Sequence, residues 1–167
     1  MARVAVVTGG TRGIGEAVSM ALKQAGYKVA ANYGGNDEAA KKFSERTGIK
    51  TYRWDVGDFA ACQQGIAQIV ADLGPVDILV NNAGITRDST LHRMTPEMWN
   101  DVIRTDLTSC FNMCRAVIES MRARKFGRIV NIGKKATLCV CIGVGAGGGP
   151  SIPSNNASVS LSTTLLI

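Results

Sequence analysis

Residues 3–15, Arg-Val-Ala-Val-Val-Thr-Gly-Gly-Thr-Arg-Gly-Ile-Gly, run a short apolar, β-branched stretch into a glycine-rich turn and then into a helical pattern. The apolar stretch reads as a strand buried on both faces. Apolar residues at 14, 17, 18, 21, 22 and 25 recur at helical spacing and predict a helix over 14–25 that turns those positions to the core. Glycines at 9, 13 and 15 let backbone N–H groups approach an anion without Cβ interference, at the positive end of the helix dipole. Strand, turn and helix in this order predict a dinucleotide diphosphate site, with Gly9, Thr11, Arg12, Gly13, Ile14 and Gly15 as cofactor contacts. The spacing is G-x-x-x-G-x-G, which differs from the G-x-G-x-x-G of the usual nucleotide-binding fingerprint.

At 167 residues the chain suits one domain, and 46% hydrophobic residues with 19 glycines suit an α/β protein. The net charge of +6 is spread along the chain and aromatics are only 5%, so no stacking platform for a nucleic acid is in view. A positive surface equally suits an anionic cofactor or a coenzyme A thioester. No run of eighteen apolar residues and no signal pattern occurs, so a cytoplasmic protein without membrane contact is expected. The five cysteines, at 62, 110, 114, 139 and 141, have neither disulfide nor zinc spacing, and with His92 the single histidine no metal site is expected.

Further along, Tyr27–Tyr33 reads as a second strand after the stop at Gly26. NAD-selective sites place an acid at such a strand end to hold the ribose 2′-OH; here stand Asn32 and Gly34, with no carboxylate before Asp37. Arg12 either neutralises a 2′-phosphate or is a solvated turn residue, and the first reading predicts NADP(H) as cofactor. Asn36 or Asp37 caps a helix through about Thr47, closed by Gly48; Thr51–Val56 forms a third strand; Asp58 caps a helix ending near Leu73-Gly74-Pro75. The apolar strand from Val76 then ends in Asn81-Asn82-Ala83-Gly84, polar and small groups at the sheet edge where open α/β sheets bind ligands. Thr95 caps a long helix with Pro96 at its first position, whose apolar residues at 98, 99, 102, 103, 107 and 111 face the core or a partner. Gly127–Ile132 is a fifth strand.

Thr8-Gly-x-x-x-Gly-Ile-Gly15 followed by Asn81-Asn-Ala-Gly84 resembles the short-chain dehydrogenase/reductase family. Asn81 to Asp88, Met94 to Trp99 and Phe126 to Ile132 are similar to the members that reduce acetoacetyl-CoA, and members acting on acyl-carrier-protein thioesters share most of these residues. The resemblance implies a Rossmann-type doubly wound parallel sheet of order 3-2-1-4-5, NADPH-dependent reduction of a 3-oxoacyl thioester to its (R)-3-hydroxyacyl form, and a homotetramer for a full-length member. It implies that Asp55-Val56 contacts the adenine, although Asp55 also suits bonds to turn amides. Asp88 and Arg93 lie where substrate would enter and read equally as exposed loop charges. Another ketone substrate, or a non-catalytic nucleotide-binding protein, are the alternatives.

The family's chemistry uses Asn, Ser, Tyr and Lys. In this chain the asparagine position is Asp106, which cannot donate a hydrogen bond while ionised; Gly133-Lys134 stands where a serine pair is expected. The tyrosines are Tyr27, Tyr33 and Tyr52, so no Tyr-x-x-x-Lys occurs, and neither Lys134 nor Lys135 replaces its lysine. Residues 134–167 carry no Asp, Glu or aromatic and include the run Gly143 to Gly149. This predicts an incomplete NADP-binding domain over 1–133, ending before the family's last strands, and an unmatched Gly/Ser-rich tail over 134–167. A change of reading frame accounts for such a break, and a divergent tail is the alternative. The chain as it stands is expected to be inactive.

Overall fold

A computed structural model describes residues 2–133; the tail expected at 134–167, with Lys134 and Lys135, lies outside the described residues. Five parallel strands, β1 (Val4–Val7), β2 (Lys28–Tyr33), β3 (Lys50–Arg53), β4 (Val76–Asn81) and β5 (Arg128–Asn131), form one sheet in the order β3-β2-β1-β4-β5. This is the Rossmann-type arrangement expected from the sequence. β1 is buried at all four positions because it is the central strand, with β2 on one side and β4 on the other. The chain reverses its direction of travel between β3 and β4, so the connections that leave the paired ends of β1 and β4 part to opposite faces and open a crevice at the carboxyl edge.

Helices α1 (Gly13–Gln24) and α2 (Asp37–Thr47) cover one face; α3 (Phe59–Leu73) and α5 (Ser109–Ala123) pack in the cluster on the other. Period-two alternation sorts β1 between them: Val6 joins Trp54, Ile69, Leu79, Met113 and Val117, while Val7 joins Ala31, Phe43 and Val80. Local chemistry sets the helix ends. Asn36 accepts from the Ala39 amide and Asp58 from the Ala61 amide, and Gly48 ends α2 in the left-handed conformation at φ 64°.

One expected helix face is corrected. In α1 the fully buried positions are Gly15 and Ser19, with Val18 and Leu22 beside them, while Ile14 is 55% exposed. Small residues allow the helix to lie close on the sheet, and the Ser19 hydroxyl is satisfied by donating to the Gly10 carbonyl at 3.0 Å. The long fourth helix begins, as expected, at Thr95, with α4 (Pro96–Val102), but passes through a π-helical segment (Ile103–Thr108) before α5. The wider turn shifts the helical phase. Trp99 before this segment, Leu107 within it and Phe111 after it are exposed, whereas Ser109, Asn112, Met113, Val117 and Met121 are buried.

β4 also departs from a plain apolar strand. The pairing of β1 with β4 is irregular between Val4 and Ala5, and the buried Asp77 fills the gap by accepting from the Val4 amide at 2.9 Å. Arg124, at the end of α5, pairs with the same carboxylate and donates to the Val76 carbonyl.

Candidate functional site

Thr8 follows β1 and joins the two sides of the crevice. Its Oγ1 accepts from the amides of Asn82 (3.0 Å) and Ala83 (2.9 Å), while the Asn82 side-chain amide donates to the carbonyls of Thr8 (2.9 Å) and Gly9 (3.2 Å). The Gly10 amide donates to the Asn32 carbonyl at 2.9 Å, tying the same turn to β2. Gly9 bends with φ 61°. A Cβ on Gly15 would collide with the Gly9 carbonyl and stand 2.5 Å from Asn82 Nδ2. Only hydrogen fits there, so α1 starts directly behind the turn.

Arg12 precedes α1 in extended conformation and offers no side-chain cap, whereas α2, α3 and α4 are capped by Asn36, Asp58 and Thr95. Glu16 is the first α1 residue whose amide reaches an intrahelical acceptor, the Arg12 carbonyl at 3.2 Å. The amides of residues 13–15 precede it and, by helix geometry, have no intrahelical acceptor. They open on a cleft of about 800 Å³, within the range of small-molecule sites.

The cleft has two arms. One runs along the ends of β2 and β3 past Asn32, Tyr33, Gly34, Trp54, Asp55 and Val56; the other follows β4 past Asn82, Ala83, Gly84 and Ile85 to Arg87. Asp101 on α4 and Arg104 and Thr105 on the π segment form a wall. Asp55 Oδ1 accepts from the Gly57 amide at 2.8 Å, and Oδ2 pairs with Arg104 Nη1 at 2.6 Å. Burial pushes this carboxyl's pKa up, but the Arg104 and Gly57 hydrogen bonds outweigh it and hold the group below the ordinary carboxylate value. Arg87 pairs with Asp101 at 3.3 Å. Arg12 lines the cleft and, among the described residues, takes part in none of the ion pairs.

Of the residues expected from the sequence, Gly9, Thr11, Arg12, Gly13, Ile14, Gly15, Asn32, Gly34, Asp55, Val56, Asn82, Ala83 and Gly84 come together on this cleft. Asn32 is only 1% exposed and its side-chain amide donates to the Trp54 carbonyl at 3.1 Å, so the side chain braces the floor. Asn81 is not on the lining: its amide donates to Asn131 Oδ1 at 2.9 Å, joining β4 to β5. Successive strand residues point to opposite sides, which separates Asn81 from Asn82. Asp106 is not on the lining, and its carboxylate accepts the Ile85 amide at 2.8 Å. Asp88 and Arg93 stand exposed outside the lining.

Sequence reasoning missed Trp54, Arg87, Asp101, Arg104 and Thr105 on the lining. It also missed Asn112, whose amide holds the Val56 carbonyl at 3.0 Å. The ion pairs join distant segments and have no local signal. Asp37, the first carboxylate after β2, accepts from the Tyr33 hydroxyl at 2.9 Å and pairs with Arg53 at 3.0 Å.

Comparison with known proteins agrees with this architecture. A family model described as short chain dehydrogenase matches residues 3–146. An acetoacetyl-CoA reductase of Shinella zoogloeoides is 64% identical over 132 residues, covering 79% of this chain and 55% of that protein. One of Paracoccus denitrificans is 63% identical over 132 residues, with 79% and 54% covered. The 3-oxoacyl-[acyl-carrier-protein] reductase of Escherichia coli (strain K12) is 42% identical over 133 residues, with 78% and 54% covered. The chain thus spans about half the length of these relatives.

Proposed function

Because the chain belongs to the short-chain dehydrogenase family, we propose that its cleft takes NADP(H) and that the protein serves the reduction of acetoacetyl-CoA, or a related 3-oxoacyl thioester, to the (R)-3-hydroxyacyl thioester. The observation that carries the cofactor assignment is the start of α1. Residues 13–15 present helix-terminal amides to the cleft with no side-chain cap, and Gly15, where a Cβ would meet the Gly9 carbonyl, lets α1 start directly behind the glycine turn. A diphosphate suits both the amides and the helix dipole.

The ribose end favours the 2′-phosphorylated form. Arg12 brings a cation to the lining, and Asp37, engaged with Tyr33 and Arg53, is not a free carboxylate for a 2′-hydroxyl. The nicotinamide supplies the hydride when bound, and the residues of this chain bind and orient it. The thioester assignment draws on the identities of 64% and 63% to acetoacetyl-CoA reductases, against 42% to the acyl-carrier-protein enzyme.

Turnover is a separate matter. Tyr33 is bonded to Asp37 and Tyr52 to Asp72. With Tyr27 these are the tyrosines of the 167 residues, and no Tyr-x-x-x-Lys follows them. We therefore expect this chain to bind cofactor without turning substrate over, since the alkoxide left by hydride delivery has no proton donor. Exposed Trp99, Leu107 and Phe111, the last stacked on Phe59 at 6.2 Å, suit contact between copies and thus the homotetramer. No helix among the described residues is long and apolar enough to cross a membrane; a cytoplasmic location is part of the proposal.

Calorimetric titration of the chain with NADPH and NADH tests the cofactor assignment: tighter binding of NADPH is expected, and no binding of either overturns it. NADPH oxidation with acetoacetyl-CoA tests the expected inactivity, which sustained turnover by these 167 residues would refute.

A further inference from the structure

Arg104 is an arginine on a π-helical turn whose side chain reaches back over a different segment. Its Nη1 lies 2.6 Å from Asp55 Oδ2, and a Cβ placed on Gly57 would collide with Nη1 and stand 3.0 Å from Cγ and Cζ. The side chain therefore lies along the backbone of the turn after β3, in the space beside Gly57. Asp55 is itself held by the Gly57 amide at 2.8 Å, so the carboxylate that binds the guanidinium is fixed by the same short turn. Both residues remain half exposed and line the β2–β3 arm of the cleft beside Trp54 and Val56.

That arm is the one an adenosine half enters when the diphosphate sits on α1, because the ribose contacts of a dinucleotide come from the end of β2. A planar, always-charged guanidinium stacks on aromatic faces, a geometry that an ammonium cannot offer. We infer that Arg104 is a specificity-determining residue for the base: the guanidinium clamped by Asp55 forms a flat wall on which the adenine of the dinucleotide stacks. The assignment rests on the cofactor reading given above. It places recognition of the base in the Asp55–Arg104 pair and not in the Asp55 carboxylate alone.

The test titrates the full chain, Arg104→Ala and Arg104→Lys with NADPH, adenosine 2′,5′-bisphosphate and nicotinamide mononucleotide. Stacking of one base is worth roughly 1–3 kcal/mol, so Arg104→Ala is expected to weaken both adenosine ligands by roughly 5- to 100-fold and to leave the mononucleotide unchanged. Arg104→Lys keeps a cation opposite Asp55 but no plane; it is expected to melt within a few degrees of the parent and still to lose adenosine affinity. It also decides the matter should the alanine variant not fold. Unchanged adenosine affinity in Arg104→Ala, full rescue by lysine, or an equal loss for the mononucleotide each overturns the inference. If the unsubstituted chain binds no NADPH, the cofactor reading itself falls.

Discussion

Thr8 and Asn82, 74 residues apart in the chain, are joined by two hydrogen bonds, both donated by Asn82: its side-chain amide donates to the Thr8 carbonyl at 2.9 Å, and its backbone amide to the Thr8 hydroxyl oxygen at 3.0 Å. Each segment positions the other, so the glycine turn takes its place only when β4 is seated. Asn82→Ala would strip the carbonyls of Thr8 and Gly9 of this donor in a buried setting and is expected to cost about 1–3 kcal/mol. Urea denaturation with a parallel NADPH titration should show both stability and affinity falling. Parental values for both would mean that the bonds contribute nothing net.

Gly15→Ala sets two effects against each other. Alanine favours a helix by about 1 kcal/mol over glycine, but the new methyl group meets the Gly9 carbonyl and Asn82 Nδ2. Backbone cannot yield as a flexible side chain does, so the collision wins. The expected result is lower thermal stability and at least tenfold weaker NADPH binding. Gly34→Ala, where a Cβ meets nothing within 4 Å, serves as the stability control and should melt near the parent temperature.

Arg12→Ala separates the 2′-phosphate from the rest of the cofactor. A hydrogen bond to a charged group is worth about 1.5–3 kcal/mol, which corresponds to roughly 10- to 100-fold in affinity. NADPH should weaken by that factor while NADH changes little, leaving the variant nearly indifferent between them. Equal weakening of both would assign Arg12 to the diphosphate or to the fold.

Cys62 gives a signature in alkali. Burial pushes its thiol up to about 11 from an ordinary value of 9.0, with no exposed surface on the residue. The folded state holds this proton more tightly than the unfolded state does. The resulting stability is therefore present in full below pH 9 and is lost as pH rises towards 11. The loss is on the order of 2–3 kcal/mol. Cys62→Ala should begin less stable and show a flatter decline over that interval. Tyr52, also raised by burial and by its bond to Asp72, adds its own decline in both proteins, so the difference between them is the quantity to measure. Parallel curves would remove Cys62 as the cause.

Much of the fold was legible because its determinants are local. Asn36, Asp58 and Thr95 mark helix starts through a side chain three residues from the amide it accepts, and Gly48 marks an end through a conformation glycine adopts freely. The site was legible where it is backbone: Gly9, Gly13 and Gly15 signal a chain that must come close to something. It was less legible where side chains choose between neighbours. Asn81 and Asn82 are adjacent and chemically identical, yet one ties β4 to β5 and the other holds the glycine turn.

The sequence by itself determined the strand and helix periodicities, the capping residues and the bare-backbone turn, since each acts within a few positions and at a scale the polypeptide samples before it folds. Only tertiary structure decided that Asp77 would fill a gap in the β1–β4 ladder, that a π turn would interrupt the fourth helix and Phe111 beyond it would lie at the surface, and that Arg104 would meet Asp55 across 49 positions. The physical reason is that a charge or an amide takes whichever partner packing brings within about 3 Å, and packing is a property of the whole sheet and its helices.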